Sequence, residues 1–224
     1  MFIEHVSVDA SKAPPWALDA PAVEHVAEFG FPLTHPVTLI TGGNGVGKST
    51  LLEGIARAWG FQVEGGPWGV DKPGARDPMF GALTLRTGAR AKAGYFLRGE
   101  THTRVTEFGE RSHGESVLEL TSRFAQDALY LLDEPESGLS PVAQMALVAQ
   151  LHAIGEQGAQ VIAVTHSPIV LGVPGAEIVE VGEHGVDRGL EVEDTLAFRA
   201  MRDFLADPHG IAEYMADWAE GELG

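Results

Sequence analysis

The sequence predicts an α/β fold in which a largely parallel sheet is flanked by helices, and three observations predict it. Short apolar, β-branched runs recur at residues 37–41, 128–132, 160–165 and 177–181, each continuous enough to be a strand buried on both faces. Segments with apolar residues at helical spacing separate the earlier of these runs, at 49–59 and from 141 to about 154. A glycine-rich turn joins the first strand to the first helix. Strands alternating with helices read as a parallel sheet with helical crossovers.

In chain order, short candidate segments at 2–8 and 26–31 flank a proline-rich stretch, and Pro14, Pro15, Pro21, Pro32 and Pro36 exclude a long helix there. Leu51, Leu52, Ile55 and Trp59 define the apolar stripe of the first long helix, which Gly60 stops. Residues 61–111 are glycine-rich, with short alternating runs at 82–86 and 93–97. Together with a helix at 115–124 they predict a small lateral β/α lobe over about 61–125, inserted into a single domain spanning 1–224. Ser140-Pro141 supplies an N-cap and first-turn pair for the next helix. Residues 185–190 predict a turn and edge strand. The C-terminal segments at about 195–205 and 211–218 predict helices. Their Phe204, Leu205, Tyr214, Met215 and Trp218 are expected to pack on the sheet, with a partner-binding face as the alternative.

The chain has 224 residues and a net charge of −17, an unfavourable balance for non-specific binding to nucleic-acid phosphate. The charge is uneven. Residues 72–123 hold 9 of the 15 Lys and Arg, and 124–187 hold none. An ordinary mixed-charge surface is the simpler reading, and a lobe that meets an anion is the sharper one. There is no cysteine, hence no disulfide or thiolate metal site. The first residues lack a positively charged, apolar leader, and no run of about 18 apolar residues could insert in a membrane. A cytoplasmic location is expected.

The chemistry begins at Gly42-Gly43-Asn44-Gly45-Val46-Gly47-Lys48-Ser49-Thr50, which fits the P-loop pattern between a strand and a helix. Glycines let the backbone wrap phosphate with inward N–H groups, and the helix N-terminus adds positive potential. Gly42, Asn44, Gly45, Gly47, Lys48, Ser49 and Thr50 are therefore the predicted nucleotide cradle. Lys48 reaches the β- and γ-phosphates of ATP, and the Ser49 hydroxyl holds Mg²⁺. The apolar run 129–132 ends in Asp133-Glu134-Pro135, a Walker B strand end. Asp133 is placed for the Mg²⁺ shell, and Glu134 to polarise the attacking water. His166 follows the run 161–165. A histidine after a strand is commonly structural, but beside a Walker B strand it is a candidate γ-phosphate sensor. Ser112-His113-Gly114-Glu115-Ser116 precedes a helix and makes Ser112 and Gly114 a candidate anion site, although Ser-x-Gly is also an ordinary helix cap. The remaining histidines show no metal-ligand spacing.

These four motifs in this order resemble the ATP-binding-cassette ATPases. They are most similar to soluble heads of the RecF and chromosome-maintenance type without a coiled coil. The resemblance runs over nearly the whole chain and implies ATP hydrolysis between two heads. Each ATP would lie between one P-loop and the partner's Ser112 and Gly114, with Glu134 as base and His166 on the γ-phosphate. It implies an ATP-dependent homodimer that drives an unidentified protein partner, in DNA maintenance or defence. Nucleic acid is a partner class that the net charge does not support. The sequence departs from the family pattern at Arg111 and His113, at Ser140 where the D-loop ends in Asp, and at the missing Q-loop Gln, whose place falls to Arg98 or Glu100. Trp16, Phe29 and Phe31 are candidates to stack on adenine. The 85 residues from Lys48 to Asp133 are few for a transporter's helical lobe. An ATPase subunit of a membrane transporter and a non-hydrolysing nucleotide-binding module are the alternatives.

Overall fold

The computed structural model describes residues 1–69, 79, 81–98, 113–183 and 185–222. A seven-stranded sheet runs through it. Strand β3 (Val37–Gly42) lies in its interior, with β8 (Gln160–Val164), β7 (Ala128–Asp133) and β6 (Ala93–Leu97) following on one side, all parallel. On the other side β9 (Glu177–Gly182) pairs parallel to β3, and β10 (Gly185–Arg188) closes that edge antiparallel. The short β4 (Gly66–Pro67) closes the opposite edge, antiparallel to β6. The expected largely parallel sheet is thus observed.

Alternate side chains of the central strands feed two cores, as the period-2 pleat requires. Ile40, Leu129, Leu131, Ile162 and Val164 face one core, under α3 (Lys48–Trp59). Leu39, Tyr130, Leu132, Val161 and Ala163 face the other, under α5 (Pro141–Glu156). Ser140 caps α5 by accepting a hydrogen bond from the Ala143 N–H, and Pro141 opens its first turn. Gly60 ends α3 with φ 104°, a conformation that costs glycine nothing.

The N-terminal strand β1 (Ile3–Val8) belongs to a separate three-stranded antiparallel sheet, between β2 (Phe31–Pro32) and β5 (Leu83–Thr87). This sheet lies over α3 and shares its core. The buried Gln160 staples the two sheets. Its Oε1 accepts from the Phe2 and Ile3 N–H groups, and its Nε2 donates to the Ile3 carbonyl, all at 2.8 Å. Segment 26–31 is divided between two elements. Residues to Phe29 complete α2 (Pro21–Phe29), and Phe31 starts β2. The prolines do not prevent short helices, because Pro15 of α1 (Pro15–Leu18) and Pro21 of α2 open their helices, where no amide donor is needed.

Within 61–125, β6 lies in the central sheet with Phe96 and Leu97 buried on opposite faces, and β5 lies in the small sheet. Helix α4 (His113–Ser122) packs beside α5. The C-terminal helices correct an expectation. Helix α6 (Leu196–Ala206) is tied at its start, where the Leu196 N–H donates to Glu180, but it buries no residue. Leu205 is 67% exposed, and Trp218 of α7 (Pro208–Glu222) 54%. Ala197 in the first turn of α6 packs half-buried against the core under α5, while Phe204, Leu205, Tyr214, Met215 and Trp218 stay exposed. No described helix is long and apolar enough to cross a membrane.

Candidate functional site

The site forms where β3, β7 and β8 end. Strand β3 runs into the P-loop, and α3 begins at Lys48. Two glycines show why the loop has its composition. Gly42 has φ 125°, and a Cβ there would lie 2.0 Å from the Val181 carbonyl oxygen. Gly47 has φ 87°, and a Cβ there would meet the Ala20 Cβ at 2.6 Å. Side chains at either position are excluded by both backbone angle and space.

The cavity over this loop has a volume of about 330 Å³. The predicted Asn44, Gly45, Gly47, Lys48, Ser49, Thr50, Glu134 and His166 line it, joined by Trp16 and Ala20. Gly42 stands just outside, its carbonyl accepting from Lys48 Nζ at 3.1 Å. Lys48 also donates to the Gly43 carbonyl. Burial lowers the Lys48 pKa, against the opposing pull of Glu134 and Asp133. The ammonium is thus held by two loop carbonyls at the edge of the cavity that Lys48 lines.

Asp133 is buried at the end of β7 and accepts from Ser49 Oγ at 2.9 Å. Burial pushes its pKa up to about 6, opposed by the Ser49 hydrogen bond and aided by the charges of Glu134 and Glu53. Two hard oxygens 2.9 Å apart match the edge of an octahedron with ~2.1 Å bonds, so the pair fits Mg²⁺. Among the described residues no group of three or more His, Asp or Glu could hold a metal. Such a cation would therefore keep substrate oxygens and water as its other ligands.

Glu134 adopts φ 47°, which costs a non-glycine residue about 1–3 kcal/mol. Its N–H donates to the Val164 carbonyl at 2.9 Å, locking the turn to the neighbouring strand. The turn brings Glu134 Oε1 to 3.7 Å from His166 Nε2. A carboxylate and an imidazole thus face each other beside the phosphate loop, with space between them and Lys48.

The remaining candidates separate. Ser112, Arg111 and Glu100 lie outside the described residues, and Gly114 is the second residue of α4. Arg98 is committed to Glu53 of α3 at 2.9 Å and to the Val63 carbonyl. Of the three aromatic candidates, Trp16 lines the cavity and is exposed. Phe29 tilts against His25, and the buried Phe31 lies under the Arg188 guanidinium. Sequence reasoning missed Glu136, whose carboxylate binds the loop carrying His166. Its signal, a third acid three residues after Asp133, was present but has no meaning without the β7–β8 register. A larger cleft of about 640 Å³ between the end of α3 and β5 is lined by Trp59, Trp68 and Leu83, away from these acids.

Two protein families match the chain. One, described as "AAA domain, putative AbiEii toxin, Type IV TA system", matches residues 94–172, and the other, "AAA domain", matches 24–71. The cytochrome c biogenesis ATP-binding export protein CcmA of Zymomonas mobilis is 28% identical over 148 residues. That alignment covers 57% of this chain and 65% of CcmA, so the chain matches somewhat less than two thirds of that relative's length. Among solved structures, an inward-facing "putative metal-chelate type ABC transporter" aligns over 86% of this chain and 85% of its own, at 18% identity and TM-score 0.48. A bacterial Atm1-family ABC exporter with ATP bound aligns over 90% of this chain and 42% of its own, at 12% identity and TM-score 0.46. The two family matches, each to an AAA domain, take in the P-loop on one side and Glu134 and His166 on the other, and with CcmA they make the chain similar to ABC/AAA P-loop ATPases.

Proposed function

We propose that this protein is an ATPase that binds ATP with Mg²⁺ and hydrolyses it in an ATP-dependent head-to-head dimer that drives a partner protein in the cytoplasm. The reading rests on one observation above others: Lys48, Ser49, Glu134 and His166, from three separate segments, line a single cavity. In it, the P-loop amides and Lys48 hold the phosphates, and Trp16 stacks on the base. Ser49 and Asp133 hold Mg²⁺, which neutralises charge on the phosphates when bound. Glu134 accepts the proton of the attacking water, and His166 donates to the γ-phosphate. Ser112 and Gly114 complete the partner's site.

At the D-loop departure, Ser140 caps α5 through the Ala143 N–H, a role that Asp would fill equally well. A transporter ATPase subunit is the second reading, favoured by the match to CcmA, and purification with the membrane fraction would support it. The test of the dimer is the solution mass of Glu134→Gln with and without ATP·Mg²⁺. The proposal expects the mass to double only with ATP, and not when Ser112 is also changed to Arg. A mass unchanged while ATP binds would overturn the homodimer.

A further inference from the structure

We propose that Glu136 is a positioning residue that fixes His166 against Glu134, an inference that rests on the reading of His166 as the γ-phosphate sensor. Strand β8 ends at Val164, and the last sheet-type bond on this segment is the Thr165 N–H to the Ile40 carbonyl at 3.0 Å. Beyond it the chain must be held by other means. Glu136 holds it. Its Oε1 accepts from Thr165 Oγ at 2.7 Å, from the His166 N–H at 2.7 Å and from the Ser167 N–H at 3.2 Å. One carboxylate oxygen thus fixes three consecutive residues, with the short bonds that an anionic acceptor makes.

The His166 ring itself is weakly held. Its polar neighbour among the described residues is Glu134 at 3.7 Å, beyond hydrogen-bond length. The position of the imidazole is therefore set from its backbone, and the backbone is set by Glu136. The same carboxylate leaves its Oε2 buried without a partner. That is a cost in folding, which the three bonds to Oε1 offset. Glu136 also sits in the turn that follows Glu134, whose Leu139 N–H donates to the Glu136 carbonyl. Acid and imidazole are thereby fixed by one short segment, and a shift in either loop is passed to the other. Ser167 extends the link, its Oγ donating to Gln144 of α5 at 2.6 Å.

The test compares the full chain with Glu136→Ala, Glu136→Gln, His166→Ala and the Glu136→Ala/His166→Ala double variant. Glu136→Ala should lower kcat by about 10–10² fold, the size of a displaced catalytic group, with KM for ATP nearly unchanged. Glu136→Gln keeps an acceptor oxygen and should recover most of that loss. The double variant should be no slower than His166→Ala, since coupled residues are not additive. A second readout needs no turnover: the His166 ring signal in the ¹H–¹³C NMR spectrum of the ATP-free protein, assigned by its loss in His166→Ala. It should move in Glu136→Ala and stay in place in Glu136→Gln. Wild-type kcat in Glu136→Ala, multiplicative losses in the double variant, or an unmoved His166 signal would each overturn the proposal. Wild-type turnover in His166→Ala would instead overturn the role of His166, and the NMR signal would still decide the positioning.

Discussion

Helices α3 and α6 are nearly the same length and both carry an apolar stripe, yet they end in opposite environments. Helix α3 buries Leu51, Leu52, Ile55 and Ala56 between the central sheet and the small one. Helix α6 buries none of its residues, and Met201, Phe204 and Leu205 face outward. The difference lies in what precedes each helix. The P-loop makes a tight turn from the central strand β3, so α3 has no choice but to return across the sheet. Helix α6 follows the edge strand β10 and a short 3₁₀ turn, and is joined to α7 through Asp207 alone. Amphipathic spacing therefore dictates a helix in both cases, whereas the connection decides whether the stripe finds a cover.

The largest expected effect sits at the head of α3. Lys48→Ala should lower turnover by about 10²–10³ fold, as for loss of one preorganised donor to developing charge. Turnover within a fewfold of wild type would mean the cavity does not hold the phosphates as described. One turn further, Leu52→Ala should cost about 2–5 kcal/mol in chemical denaturation, the range for a fully buried leucine. A cost below 1 kcal/mol would remove the contrast with α6.

Asp133 gives a pH-dependent effect. Its pKa is raised in the folded chain, from 3.8 to about 6, so the charged form is disfavoured by folding. That cost is absent below the unfolded value and fully present above the folded one. Asp133→Asn should therefore stabilise the chain in EDTA at pH 8, by on the order of 1–3 kcal/mol, and be near neutral at pH 4. Equal effects at both pH values would show that the carboxyl is not held in this state. The smallest effect belongs to α7. Trp218→Ser should change stability by less than about 0.5 kcal/mol, as expected of an exposed site. A loss comparable to Leu52→Ala would show that the C-terminal helices are covered in solution.

Those helices also mark where the sequence stops being informative. The P-loop, Asp133 and Glu134 were legible because each motif is local: a strand, a turn with forced glycines and a helix start within a few residues. The pairing of His166 with Glu134 was half legible, since two strand ends could be named but not their neighbouring register, Asp133 opposite Val164. Glu136 was not legible, because its partners lie 29–31 residues away across that register. Likewise Trp16 could not be chosen over Phe29 and Phe31 until α1 and α2 placed Ala20 and Trp16 beside the P-loop. Residues 93–97 read as part of a lateral lobe because Gly94 and the surrounding glycines dilute the apolar run. In the sheet, Gly94 is required by close approach, a Cβ there lying 2.8 Å from the Leu129 carbonyl.

The central claim is that Glu134, held in its strained turn at the end of β7, activates water for ATP hydrolysis. Phosphate release by wild type and by Glu134→Gln, with ATP affinity measured on both proteins, tests it most directly. The account predicts ATP binding of similar strength in both and a fall in turnover of about 10²–10⁴ fold in the variant, the range for loss of a general base. Equal phosphate release from the two proteins, or none from wild type while ATP is bound, would contradict it.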